Sequence, residues 1–193
     1  MEHHKFSFRE AFGTTVDEIV QMRGDSLSCS YCGVLRRRLL NTAARSLGAT
    51  RLALGMNLDD EAQSVLMNTL RGDALRLTRG DTQREGLVQR IKPFMYIPER
   101  EVALYAHLHV EGFLAGSCPY AHNALRADVR NLLNDFAWRH PSTRHSLVRL
   151  GEELSSTSIK SGLEPRFCPE CGEICGEICR SCQILSEVCR NDE

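Results

Sequence analysis

The chain has 193 residues, 42% of them hydrophobic and 25% charged, and a formal net charge of -1. That length suits one moderate core with a small appendage, and the near-neutral total excludes a uniformly basic nucleic-acid binder. Nine cysteines would suit a secreted disulfide scaffold, but Met1-Glu-His-His-Lys-Phe6 is no apolar signal region and no run approaches the roughly 20 residues that cross a bilayer; a reducing cytosol and metal-bound cysteines are the reading this leaves.

Residues 5–8 read as a short strand, and Thr14 or Thr15 caps a helix through about Met22 that stops at Gly24. Cys29-Ser-Tyr-Cys32-Gly-Val-Leu-Arg36-Arg37-Arg38 opens or precedes a second helix, in which Val34, Leu35, Leu39, Leu40, Ala43, Ala44 and Leu47 recur at helical spacing before Gly48. Residues 50–55 form a buried strand, and Asn57-Leu-Asp59-Asp60-Glu61 leads a helix bearing Ala62, Val65, Leu66 and Leu70. Strand, turn and capped helix make an α/β unit. Ligands of such units sit beyond the strand's carboxyl end, where Asn57, Asp59 and Asp60 lie; the same residues serve equally as helix caps.

Residues 78–86 are a polar loop, 89–93 another strand, and Pro98 begins a helix to about Val110. Residues 123–140 form an amphipathic helix with Leu125, Val129, Leu132, Leu133 and Phe136 on one side and Trp138 in the packing, ended by His140-Pro141. A shorter helix runs through Leu154, and the small polar residues 155–162 mark a linker.

Cysteines carry the chemistry. Cys168-Pro-Glu-Cys171-Gly and Cys179-Arg-Ser-Cys182 are two CxxC knuckles. A segment of about 25 residues cannot bury a core, so four thiolates on a tetrahedral zinc are expected to supply its folding energy, with disulfides or a second cluster as the alternatives. The duplicated Cys171-Gly-Glu-Ile-Cys175-Gly-Glu-Ile-Cys179 leaves the ligand choice slightly ambiguous, with Cys175 and Cys189 as spares. Upstream, Cys29 and Cys32 have a lone third cysteine in Ser117-Cys118-Pro119-Tyr120. Three thiolates on an iron-sulfur cluster leave one iron open; a redox dithiol, buried thiols, or a Cys3His zinc site completed by His122 are the alternatives. Arginines gather at Arg36 to Arg38, at Arg71, Arg76, Arg79, Arg84 and Arg90, and at Arg126, Arg130, Arg139 and Arg144. They make either a local phosphate-binding face or ordinary solvated helix faces.

Several of these motifs, in order, resemble the tRNA 2-thiouridine synthetases of the TtuA and cytosolic thiouridylase type. They are Cys29-x-x-Cys32-Gly-Val-Leu-Arg-Arg-Arg-Leu-Leu-Asn41, Leu58-Asp-Asp-Glu-Ala-Gln63, Met67-Asn-Thr-Leu-Arg-Gly-Asp73, Arg90-Ile-Lys-Pro93, Cys118-Pro-Tyr-Ala121 and the terminal double CxxC. The resemblance covers nearly the whole chain. It implies an α/β fold: an incomplete doubly wound parallel sheet of the PP-loop ATPase, adenine nucleotide alpha-hydrolase-like kind over residues 1–154, a linker at 155–164, and a zinc ribbon at 165–193. A [4Fe-4S] cluster is expected on Cys29, Cys32 and Cys118, and Zn2+ on Cys168, Cys171, Cys179 and Cys182. ATP and Mg2+ are expected by Gly55, Asn57 and Asp60, with Asp60 and Arg36 as catalytic residues.

The implied reaction is tRNA 2-thiolation by a sulfurtransferase: adenylation of the uridine C2 oxygen with ATP, then transfer of sulfur held on the cluster. A cytoplasmic homodimer with no membrane contact, and sulfide or a ubiquitin-like sulfur-carrier protein as donor, belong to the same expectation. Two departures stand out. The family's Gly-His-Asn is Gly55-Met56-Asn57 here, and the phosphate-binding Ser-Gly-Gly-x-Asp-Ser loop has no counterpart, since neither Arg23-Gly-Asp-Ser26 nor Ser161-Gly162 follows a strand with the required glycine pair. In a 3-2-1-4-5 sheet residues 6–8 would be strand 3 and 52–55 strand 4. A truncated sequence or a separate chain carrying the PP-loop is expected, with the short chain inactive in thiolation. The alternatives are a tRNA 2-thiocytidine synthetase, which has a second CxxC in place of the single Cys118, and a non-catalytic metal- and tRNA-binding module.

Overall fold

Helices dominate the computed structural model, which describes residues 2–78, 87–113, 116, 118–120, 125–157 and 166–189. The expected loop at 78–86 after its first residue, His122, the helix start at Asn123 and most of the linker lie outside the described residues. In chain order the elements are α1 Phe8–Phe12, α2 Val16–Arg23, α3 Ser28–Ser46, β1 Arg51–Ala53, α4 Leu58–Leu70, α5 Ala74–Leu77, β2 Gln89–Ile91, α6 Glu99–His109, α7 Leu125–Arg139, α8 Thr143–Ser156, β3 Arg166–Phe167, β4 Ile174–Cys175 and α9 Arg180–Cys189. Among the described residues the sheets are two pairs, β1 with β2 and β3 with β4, so these residues are α-rich with short sheets, where an incomplete doubly wound parallel sheet was expected. Contacts divide it into two units, Met1–Leu52 with Gln83–Gln89 and Gly162–Glu193, and Ala53–Thr82 with Arg90–Ser161.

In the first unit the expected strand at 5–8 is replaced by the start of a helix. Ser7 caps α1 by accepting from the Glu10 N–H (3.2 Å), Gly13 ends it at φ 72°, and the rings of Phe8 and Phe12, one turn apart, meet edge to face at 5.6 Å. Local capping and an i,i+4 aromatic pair outweigh the alternation that suggested a strand. Thr15 and Glu18 form a capping box on α2, which ends at Gly24. Tyr31 and Leu35 of α3 then pack with Ile19 of α2 and with Ile184 and Val188 of α9. Full burial of two aliphatic side chains contributes about 1.5–3 kcal/mol each. The cysteine-rich segment therefore does share a core, on α3, contrary to expectation.

In the second unit α4 is the centre. Asn57 and Asp60 close a capping box at its start, and Leu58 and Ala62 pack with Val129 and Leu133 of α7 and Val148 of α8. The buried stripe of α7 is Val129, Leu133 and Ala137, at four-residue steps. Trp138, expected in the packing, is one residue and about 100° round the helix from Ala137 and is 88% exposed; Leu132 and Phe136 are exposed as well. Leu54 N–H donates to Ile91 O (2.9 Å) where β1 and β2 pair, and Asn57 bridges Phe94 in parallel just beyond. Among the described residues no helix is long and apolar enough to cross a membrane.

The crossing of α4 and α8 is tight. A Cβ on Gly151 would lie 2.6 Å from Val65 Cγ2, and a β-branched methyl cannot swing away cheaply. Gly to Ala inside a helix normally stabilises by about 1 kcal/mol, whereas overpacking costs roughly 1–3 kcal/mol, so the clash sets the sign. Gly151→Ala is expected to lower the unfolding free energy by about 1–2 kcal/mol in urea titration, and Val65→Ala in the same chain to restore part of it. A stabilised single variant would contradict this packing.

Candidate metal centres

The turn after β3 is built to present sulfur. Cys168 N–H donates to Glu173 O (2.8 Å), Gly172 N–H donates back to Cys168 O (2.9 Å), and Gly172 takes φ 70°, where a side chain would be strained. β3 and β4 run antiparallel across this turn, Phe167 opposite Ile174 and Arg166 opposite Cys175. Cys179 precedes α9 and Cys182 lies in its first turn. As a result the four sulfurs of Cys168, Cys171, Cys179 and Cys182 all lie within 4.8 Å of one another. Cys168 and Cys182 are 3.7 Å apart, and Cys171 and Cys179 are 3.6 Å apart. A tetrahedron with metal–sulfur bonds of about 2.3 Å has edges of about 3.8 Å, so the set matches a tetrahedral thiolate site.

The electrostatics of the four differ. Backbone N–H groups of Cys171 and Glu170 aimed at the Cys168 sulfur lower its pKa to about 7, while burial pushes the Cys171 and Cys182 thiols up. Four thiolates this close repel, and a divalent cation is what makes all four ionise together. Cys175 on β4 stands beside Cys168 and Cys179, its thiol held up by burial and by those sulfurs. Cys168, Cys171, Cys175, Cys179 and Cys182 are free of disulfides.

A clamp ties this knuckle to α3. Asn41, only 2% exposed, donates from Nδ2 to both carboxylate oxygens of Glu173 (3.2 and 3.0 Å) and accepts the Val88 N–H at Oδ1 (3.1 Å). Thr42 Oγ1 adds a donor to Glu173 (3.2 Å). Arg38 donates to Ser181 Oγ (3.1 Å) and lies 5.2 Å from the centre of the Phe12 ring. The sequence marked Asn41 only as the end of a motif; its signal was a polar residue at a position flanked by the helix's apolar run.

At the other end of α3, Cys29 and Cys32 are three residues apart in the first turns, exposed and half-buried respectively. Arg36 follows one turn on, exposed. These three lie along one stripe of the helix, beside the face by which Tyr31 and Leu35 enter the core, the two centred about 100° apart round the axis. The third expected partner, Cys118, belongs to the second unit, where it is exposed ahead of the turn at Pro119 and Tyr120.

The second unit also carries the expected nucleotide residues. Asp60 N–H donates to Asn57 Oδ1 (3.1 Å) and Asn57 N–H to Asp60 Oδ2 (3.2 Å). Both side chains are thus engaged as caps. Arg126, which the sequence placed among the arginines of a phosphate-binding or solvated face, reaches across this turn to Gln63 Oε1 (3.2 Å) and Ser64 Oγ (3.2 Å), with Asp60 Oδ1 at 3.8 Å. Asp59 pairs with Arg144 (2.5 Å) and accepts the Glu99 N–H (2.7 Å), joining the starts of α4, α6 and α8. A Cβ on Gly55 would meet nothing within 4 Å, so the approach to this turn is open there.

No family model matches the chain. It is 34% identical to the tRNA 2-thiolation protein NcsA of Haloferax volcanii over 205 residues, covering 97% of this chain and 64% of that protein. It is 36% identical to the cytoplasmic tRNA 2-thiolation protein 1 of Saccharomyces cerevisiae, covering 93% and 54% respectively. Among solved structures it is similar to the U34-tRNA thiolase NcsA from Methanococcus maripaludis with its [4Fe-4S] cluster, with a TM-score of 0.79 and 33% identity over 97% of this chain and 60% of that one. The chain therefore spans about half to two thirds of the length of the relatives it matches.

Breaking the clamp gives a measurable cost. Asn41→Leu keeps the branched shape but leaves the Glu173 carboxylate and the Val88 N–H without their buried partner, and is expected to destabilise the chain by about 2–3 kcal/mol in denaturant titration. Thr42→Val, at an exposed position, is expected to cost less than about 1 kcal/mol. Equal effects of the two would show that burial of the amide does not matter.

Proposed function

Since the chain belongs to the tRNA 2-thiolation protein family, we propose that it carries the metal-binding part of an enzyme that replaces the C2 oxygen of a tRNA uridine by sulfur. The solved relative is a U34-tRNA thiolase, which supports uridine over cytidine. The observation that carries the reading is the stripe of Cys29, Cys32 and Arg36 on α3, thiols first and a guanidinium one turn beyond. Cys29 and Cys32 with Cys118 would hold a [4Fe-4S] cluster, which with three thiolate ligands supplies an open iron for the sulfur to be transferred. The Cys168, Cys171, Cys179 and Cys182 set would hold a structural Zn2+, closed to chemistry by its fourth thiolate.

The C2 oxygen of uridine is a poor leaving group. ATP would attach AMP to it with loss of pyrophosphate, and attack of sulfur at C2 would then expel AMP with the former C2 oxygen. Arg36 offers a fixed cation to the phosphate charge that develops as AMP leaves. At the start of α4 the open approach beside Gly55 admits a nucleotide, Asn57 and Asp60 hold that turn rigid, and the Asp60 carboxylate either meets Mg2+ or orders the site. Arg126 offsets the negative charge of Asp60 when no cation is bound. Backbone N–H groups of a Ser-Gly-Gly-x-Asp-Ser loop, which these 193 residues do not include, would come from a further segment or a separate chain. The relatives named cytoplasmic support action in the cytoplasm.

Anaerobic reconstitution of the chain with iron and sulfide is expected to give the broad visible absorption of an iron-sulfur cluster. Single changes of Cys29, Cys32 or Cys118 to Ala are expected to abolish it without removing zinc. A cluster retained in full by Cys118→Ala would overturn the three-ligand assignment. With ATP and a sulfide source, the 193 residues alone are expected to leave tRNA free of 2-thiouridine, and addition of a PP-loop-bearing segment to restore it; turnover by the short chain alone would sink that division of labour.

A further inference from the structure

The end of α3 that bears Cys29 and Cys32 has little local chemistry to hold it. Its cap residue, Leu27, makes no side-chain hydrogen bond to the helix, its first turn carries no acidic residue, and Ser28 Oγ is buried there without a hydrogen-bond partner among the described residues. α2 and α4, by contrast, each begin with a capping box. A helix start left without a cap depends on packing to stay wound. Here that packing comes from the carboxyl-terminal segment: Tyr31 and Leu35 are buried against Ile184 and Val188 of α9 as well as Ile19 of α2, and Arg23, just ahead of the turn, donates to Glu187 O of α9. We propose that Tyr31 and Leu35 are positioning residues through which a metal in the cysteine knuckle keeps the CxxC turn helical, so that Cys29 and Cys32 are set for their own metal only once the knuckle is loaded.

The inference rests on the reading of the knuckle as a zinc site. α9 is ten residues long, shorter than the roughly 12–15 that a helix needs to persist in water by itself. Cys179 lies just ahead of it and Cys182 in its first turn, so a metal shared with Cys168 and Cys171 fixes the start of α9 on the knuckle. Besides those four sulfurs the knuckle has one tight turn and two strands of two residues each. When the metal leaves, α9 loses its anchor, and Ile184 and Val188 no longer cover Tyr31 and Leu35. The middle of α3 has helical turns on both sides and can stay wound; the first turn has none before it. Once that turn frays, the three-residue spacing no longer holds the two thiols on one stripe.

The test uses the full chain under reducing conditions, with zinc and after its removal by a chelator, and reads backbone amide exchange without iron. A chain that takes up no zinc fails the zinc reading, and this proposal with it; a chain that takes up zinc but later no cluster fails only the cluster reading. Removal of zinc is expected to speed exchange at residues 31–35 roughly tenfold or more and to leave α4 of the second unit unchanged. Residues 31–35 that stay protected while 180–189 lose protection would overturn the proposal. Ile184→Ala/Val188→Ala keeps all four cysteines, and is expected to retain zinc yet expose residues 31–35 as zinc removal does; protection equal to wild type would refute the packing route. Tyr31→Phe is expected to preserve the protection and Tyr31→Ala to lose it with zinc still bound, whereas equal protection in the two would remove Tyr31 from the role.

Discussion

Asn41, 2% exposed in the middle of α3, spends its amide on Glu173 and on the Val88 N–H, and the first unit is organised by that choice. A buried amide without partners would cost a few kcal/mol, so the knuckle, the start of β2 and α3 are fixed to one another by a group that water cannot satisfy. α3 is one rigid rod of 19 residues. Cys29 lies twelve positions before Asn41, about 18 Å along its axis at the usual rise. The two cysteine groups of this unit are thus mounted on opposite ends of the same helix. Anything that shifts the knuckle moves the base on which the CxxC stands.

Apolar burial holds the carboxyl-terminal segment, zinc on the four sulfurs would hold it too, and the sizes of the two separate their roles. Burying Ile184 and Val188 against Tyr31 and Leu35 contributes about 3–6 kcal/mol together. A structural zinc on four thiolates contributes apparent binding energy of about 10–16 kcal/mol in small peptides. A metal held by the four thiolates would therefore decide whether the segment folds, and the apolar stripe of α9 decides where it rests. In the second unit the corresponding task falls to carboxylates: Asp59 joins Arg144 and the Glu99 N–H, so three helix starts are tied at one point.

What was legible in the sequence is what local chemistry dictates. Thr15 with Glu18, Gly24, and Asn57 with Asp60 cap helices as their identities require, and two CxxC motifs bring four sulfurs together, one on a tight turn and the other on the first turn of α9. What failed depended on which face tertiary packing selects. Residues 5–8 alternate like a strand, yet Ser7 found a helix to cap. Leu132, Phe136 and Trp138 are apolar enough for a core, but Val129, Leu133 and Ala137 are the ones that α4 and α8 leave room for. The partners of Asn41, Asp59 and Arg126 were not legible because they lie 20 residues or more away in sequence. Cys29, Cys32 and Arg36 share a helical stripe because their spacing on α3 puts them there.

The exposed indole has an optical consequence. Trp138 is the chain's single tryptophan and, at 88% exposure, is surrounded by water in the folded protein much as it is in an unfolded one. Its emission wavelength is therefore nearly blind to folding, and a flat fluorescence trace during denaturation says nothing about whether the cores have melted. The same blindness makes it selective. A blue shift in this chain signals that something has come to cover the outer face of α7, which turns an unburied side chain into a built-in reporter of contact.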